Sequence, residues 1–129
     1  MMGYNERAAE QAVSVMVDAC HQAAKHWWID PVTGTDTRDN PMCFSQKLML
    51  IVSELAEAME GDRKGLMDDK LPHRQMREVE LADALIRICD TAGGYGMDLA
   101  GAVVEKLAYN AQRADHKIEH RMAEGGKTY

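Results

Sequence analysis

The stretch Leu48-Met-Leu-Ile-Val-Ser-Glu-Leu-Ala-Glu-Ala-Met59 constrains this chain more than any other. It is apolar almost all the way round a helical wheel. A helix of that kind belongs in the middle of a bundle or at an interface between copies, not on a surface. Its only polar side chains are Ser53, Glu54 and Glu57. Glu54 has Leu50, Ile51 and Ala58 as same-face neighbours, and Glu57 follows one turn on, about 60° round the helix. Carboxylates set in an apolar helix are costly unless something neutralises them.

Three more helices follow from periodicity. The first runs from about Asn5, a plausible N-cap, to about Trp28, with Val13, Met16, Val17, Cys20, Ala24 and Trp27 recurring at steps of three and four. Asp30 to Pro41 is dense in turn formers and reads as a long loop. The apolar helix itself spans about Phe44 to Glu60, with Gly61 or Gly65 as its stop. Gly61 to Pro72 reads as a charged loop with at most a frayed turn. The third helix runs from about His73 to Ala92 on a stripe of Met76, Val79, Ala82, Ile86 and Cys89, and Gly93-Gly94-Tyr-Gly96 ends it. Asp98 caps a fourth, to about Ala123, with Leu99, Ala102, Val103 and Leu107 inside.

The expected fold class is therefore all-α, an antiparallel bundle of four principal helices in a single domain over residues 1–129. Two Trp, four Tyr and one Phe stand against ten Met, so the core is expected to be thin, aliphatic and helix-on-helix. The apolar second helix predicts completion by oligomerisation, as a homodimer or homotetramer.

A formal net charge of −6 argues against non-specific binding to polymeric nucleic acid or to an anionic membrane, since both need a basic surface. It leaves a nucleotide substrate open, because a divalent cation can bridge acids to phosphates. No apolar run approaches the ~20 residues of a membrane span. Cys20, Cys43 and Cys89 form no CxxC pair. With no secretory segment in view they point to a cytoplasmic protein with reduced thiols.

The third helix repeats the anomaly of the second. Asp83 sits on the apolar stripe between Val79 and Ile86, with Glu80 one turn earlier. If the two helices pack antiparallel, Glu54 and Glu57 can face Glu80 and Asp83. Four converging carboxylates repel, and a hard, oxygen-preferring cation resolves that; Mg²⁺ or Mn²⁺ is the natural choice. A lone Glu-x-x-Glu is usually a solvated face, and Arg87, four residues past Asp83, is an alternative neutraliser. Two such pairs on apolar stripes of adjacent helices favour the metal.

These residues carry a resemblance. Glu54-x-x-Glu57, a spacer and Glu80-x-x-Asp83 resemble the signature of the MazG-like all-α nucleoside triphosphate pyrophosphohydrolases. Lys47 to Ala58 is similar to that family's first motif helix, Glu80 to Asp90 to its second, and Lys106-Leu-Ala-Tyr-Asn-Ala-Gln-Arg113 to the Lys…Asn…Arg element that follows. The likeness covers roughly Trp27 to Tyr129. It implies Mg²⁺-dependent cleavage of a nucleoside triphosphate, a deoxynucleotide or a noncanonical one, to the monophosphate and pyrophosphate. Glu54, Glu57, Glu80 and Asp83 would be metal ligands, and Glu57 would also take the proton of the attacking water. Many members carry a further Glu immediately before the first motif Glu; this chain has Ser53. That departure supports an alternative, a catalytically silent nucleotide-binding or regulatory protein of the same fold.

Lys106, Asn110 and Arg113 are spaced by four and three, so they share a helix face and can contact phosphate oxygens, although a solvated face has the same spacing. The resemblance favours the phosphate role for Lys106 and Asn110. Trp27 fits the apolar stripe as a core anchor. Trp28 lies beside the stripe, and the resemblance implies an aromatic base contact there. Asn40 can contact sugar or base, or simply form the turn before Pro41. Lys127 can fold over the phosphates but lacks a Walker context.

Overall fold

The structure, a computed structural model, describes residues 3–113, 122–123 and 125–126. It is all-helical, with α1 Glu6–Ala24, α2 Cys43–Lys64, α3 Met76–Gly94 and α4 Leu99–Gln112, plus two short 3₁₀ turns, Lys25–Trp28 and Thr37–Asp39. No helix among the described residues is long and apolar enough to cross a membrane. The chain divides into two compact units. One is Met1–Val15 with Asp98–Tyr129, and the other is Met16–Met97.

Side-chain caps set two helix starts as the sequence leads one to expect. The Asn5 carboxamide oxygen accepts from the Ala8 amide at 3.0 Å, and Asp98 accepts from Gly101 at 2.9 Å. α2 runs one turn further than expected. Gly61 does not stop it; it is buried inside it, and a Cβ there would lie 2.8 Å from the Met76 Cβ. The glycine is used for close approach of the next helix, and Gly65 is the stop. Gly65 has φ +63°, and the Leu66 amide donates back to the Gly61 carbonyl at 2.9 Å in a Schellman-type end. Residues 66–75 then fold back as a tight connection. Asp68 and Met76 donate their amides to the carbonyls of Arg74 and Leu66, and Met67 bridges Gln75. Residues 72–73 form a turn closed by the Arg74 amide on the Leu71 carbonyl, and Gln75 is extended, so α3 begins at Met76 and not at His73.

α2 and α3 pack antiparallel. Gly61 meets Met76, Arg77 bonds Asp62 at 2.7 Å, and Arg87 bonds Glu54 at 2.8 Å, so numbers rise on one helix as they fall on the other. At the far end of α3, Gly93 packs against His21 of α1 and Gly94 against the Trp28 ring, each closer than a side chain would allow. Among the described residues the buried apolar ones are few and small apart from Trp28: Cys20, Cys43, Ala58, Ala84, Cys89, Ala92 and Ala100. Leu48, Val52, Leu55 and Met59 on α2 are exposed, as are Leu81, Leu85 and Ile88 on α3. Their spacing of fours and threes makes an apolar seam on each helix.

In the other unit, α4 ends at Gln112, and Arg113 is extended. The last turn closes when the Arg113 amide donates to the Asn110 carbonyl at 3.3 Å. The expected helix thus stops short of residue 114 instead of running on unbroken towards Ala123. Residues 114–121, 124 and 127–129 lie outside the described residues, and the expectation for Lys127 falls there.

Candidate metal centre and its cleft

The antiparallel register of α2 and α3 brings three of the four predicted acids together. Single carboxylate oxygens of Glu54, Glu57 and Glu80 all lie within 4.8 Å of one another. Glu57 is exposed, Glu54 retains 12% of its side-chain exposure, and Glu80 is 8% exposed. Buried Glu80 is poorly provided for, because its Oε2 has no hydrogen-bond partner. Loss of hydration pushes its carboxyl up to about 8, and the hydrogen bond with Glu54 and the charges of Glu57 and Glu54 add to the rise. At Glu54 burial also works upward, but hydrogen bonds from Glu80 and Arg87 outweigh it, and its carboxyl stays below its usual value.

Asp83 stands outside that trio but lines one cleft with Glu54. Burial raises its carboxyl, the charge of Glu54 adds to this, and the guanidinium of Arg87 opposes it. The charge of Asp68 acts on Asp83 as well. Asp68 is an acid that periodicity could not find. It is buried in the α2–α3 connection, where it accepts from the Lys70 and Leu71 amides at 3.0 and 2.8 Å.

The chemistry of this donor set suits a hard divalent cation. The donors are all carboxylate oxygens, they carry an excess of negative charge, and one buried oxygen is unserved. Ser53 adds nothing to the set, since its hydroxyl donates to the Leu50 carbonyl at 2.6 Å.

The cleft beside the acids has a volume of about 460 Å³ and is lined by Ala24, Trp27, Lys47, Glu54, Asp83, Ile86, Arg87 and Asp90. It places three acids, two cations and an indole side by side. The tryptophans exchange their expected burial. Trp28 is 1% exposed and Trp27 is 71% exposed. The helix tightens to a 3₁₀ turn at Lys25, so the 3.6-residue period that set Trp27 on the stripe no longer applies. Trp28 is the anchor. Its Nε1 donates to Asp90 at 3.0 Å, its ring meets Tyr95 edge-on, and the Lys47 ammonium lies 4.3 Å from its centre. A ring so enclosed has no face left for a base, and the expectation of a base contact at Trp28 is corrected to Trp27 as the indole on the cleft.

Asn40 serves a turn. Its side chain accepts from the Met42 amide at 2.9 Å, and it lines a separate hollow with Asp30, Asp36 and Asp39. Lys106, Asn110 and Arg113 belong to the other unit. There the Lys106 ammonium lies 4.7 Å from the Tyr109 ring centre, and Arg113 donates to the Asn110 side chain at 3.3 Å. Arg113 is past the helix, so it does not continue the helical face of Lys106 and Asn110. Sequence reasoning missed Asp90. It is buried in α3 between the Trp28 indole and His21, whose Nδ1 lies 2.9 Å away. An acid beside Ile86, Cys89 and Ala92 is a visible signal, but its partners lie 62 and 69 residues upstream.

No protein-family model, no curated protein and no solved structure matches the chain, so the side-chain geometry is what bears on its function.

Proposed function

We propose that the chain binds Mg²⁺, or Mn²⁺, on Glu54, Glu57, Glu80 and Asp83 and hydrolyses a nucleoside triphosphate to the monophosphate and pyrophosphate. The observation that carries this is the trio of carboxylates within 4.8 Å, one of whose buried oxygens has no partner. An acid held in that setting is costly to the fold unless a cation joins it. The resemblance of Glu54-x-x-Glu57 and Glu80-x-x-Asp83 to the MazG-like signature supports the same reading.

When bound, the cation would neutralise phosphate charge and lower the pKa of a water. The chain's own groups do the rest. Glu57, the exposed member of the trio, takes the proton of a water that adds across the α–β phosphoanhydride. Lys47 is a cation beside the acids, suited to a phosphate oxygen. Trp27 offers an open indole face for a base. Lys106 and Asn110 remain candidates for phosphate. The substrate is a deoxynucleotide or noncanonical triphosphate, which places the protein in nucleotide-pool metabolism in the cytoplasm.

The apolar seams on α2 and α3 favour a homodimer or homotetramer, in which seams from two copies pair as facing helix pairs and complete an antiparallel bundle.

A panel of deoxynucleoside and noncanonical triphosphates with Mg²⁺ tests the activity. Wild type should release pyrophosphate from at least one, and Glu57→Gln should lower kcat at least about a hundredfold. Absence of Mg²⁺-dependent turnover across the panel would remove the enzyme reading. A second reading, a silent nucleotide-binding protein, is favoured by Ser53, whose hydroxyl is turned back on its own helix. Mg²⁺-dependent nucleotide binding without product would establish it.

A further inference from the structure

Arg87 stands where the acidic and basic parts of the cleft meet. Its Nε donates to Glu54 Oε1 at 2.8 Å, and 42% of its side chain is exposed. Its charge also reaches Asp83, whose carboxyl it draws down against the effect of burial. One of the acids assigned to the cation, Glu54, therefore already holds a guanidinium, while Glu80 Oε2 goes without any partner. A guanidinium and a divalent cation are alternative neutralisers of the same carboxylate, and both cannot hold one oxygen at full strength. Whichever wins at Glu54, Arg87 remains a lining residue of the cleft that Lys47 also lines. A guanidinium released there is a planar, permanently charged donor of the kind that grips phosphate oxygens in pairs.

We propose that Arg87 couples cation to phosphate: it competes with the divalent cation for Glu54, and once displaced it becomes a ligand for a phosphate group in the same cleft. This rests on the metal reading of the four acids. It makes metal binding and phosphate binding cooperative through one side chain, with the cation entering first. It also gives the cation-free protein a way to keep Glu54 neutralised.

Two titrations of the purified protein test it, Mn²⁺ alone and then inorganic pyrophosphate at saturating Mn²⁺. Arg87→Gln keeps the side chain polar and close in length, and Arg87→Ala serves as a second variant should the first fold poorly. Removing the competitor should tighten Mn²⁺ binding by about tenfold, the scale of one charge-assisted hydrogen bond, and removing the phosphate ligand should weaken pyrophosphate by a similar factor. Lys47→Ala controls for the cleft's overall charge and should leave Mn²⁺ affinity within about twofold.

The opposite signs are the signature. Changes of the same sign in both titrations, a change in only one, or no change overturns the coupling. An equal gain of Mn²⁺ affinity in Lys47→Ala does so too. If wild type binds Mn²⁺ and Arg87→Gln binds it no better, the metal centre stands and the coupling falls. If wild type binds no Mn²⁺ at all, the metal reading itself fails and the coupling with it.

Discussion

Glu80 and Asp90 lie on the same helix and are equally hidden, each 8% exposed, yet their surroundings are opposites. Asp90 sits among donors, with the Trp28 indole and the His21 ring both at one of its oxygens. Glu80 sits among acceptors, beside Glu54 and Glu57, with one oxygen left over. Burial does not separate a structural acid from a functional one; the kind of neighbour does. An acid surrounded by N–H groups ties helices together. An acid surrounded by acids is held in a state that only a proton or a cation relieves.

The largest effect that would break this comparison belongs to Asp90. Asp90→Ala leaves the buried Trp28 indole N–H and the part-buried His21 ring unserved and should lower unfolding stability by about 3 kcal/mol in a urea melt, with Mn²⁺ affinity per folded chain little altered. A loss under about 1 kcal/mol would mean that Asp90 is not the tie described. Next comes Glu80→Gln, which should reverse the pattern. It should cost little stability and weaken Mn²⁺ binding about a hundredfold, roughly 2.7 kcal/mol. Equal Mn²⁺ titrations for wild type and Glu80→Gln would take Glu80 out of the site.

A third test sharpens the contrast as a slope against pH. The Glu80 carboxyl is raised from 4.5 to about 8 in the folded chain. Between those values the folded chain holds a proton that the unfolded chain has given up. Stability of the cation-free protein should therefore fall as pH rises through that window, by at most about 1.4 kcal/mol per pH unit. Glu80→Gln should flatten the slope, and melts from about pH 5 to about pH 8 would show an unchanged slope if another group is responsible.

Much of this arrangement is legible in the sequence. The four helices follow from periodicity, the starts of α1 and α4 from Asn5 and Asp98, and the pairing of Glu54 and Glu57 with Glu80 from an acid's discomfort in an apolar stripe. The misreadings have physical reasons. Gly61 looks like a helix stop, but its missing side chain admits Met76, which only the partner helix reveals. Trp27 and Trp28 have the reverse of the expected burial because a 3₁₀ turn leaves the α period. Asp68 and Asp90 were overlooked because each is defined by contacts outside its own helical pattern. In the sequence Arg87 stands as a rival to the cation four residues past Asp83, whereas its hydrogen bond runs across to Glu54.

The absence of a side chain at Gly94 has a consequence for the cleft wall. The Trp28 ring occupies the room a methyl group would take, so the indole is registered against the α3 main chain itself. The ammonium of Lys47 rests over that ring and the Asp90 carboxylate holds its nitrogen. Main chain drifts less than side chains do, so these groups inherit a fixed datum. The spacing between the basic and acidic walls is thus gauged by the backbone, and it survives the rotameric noise of the exposed side chains around it.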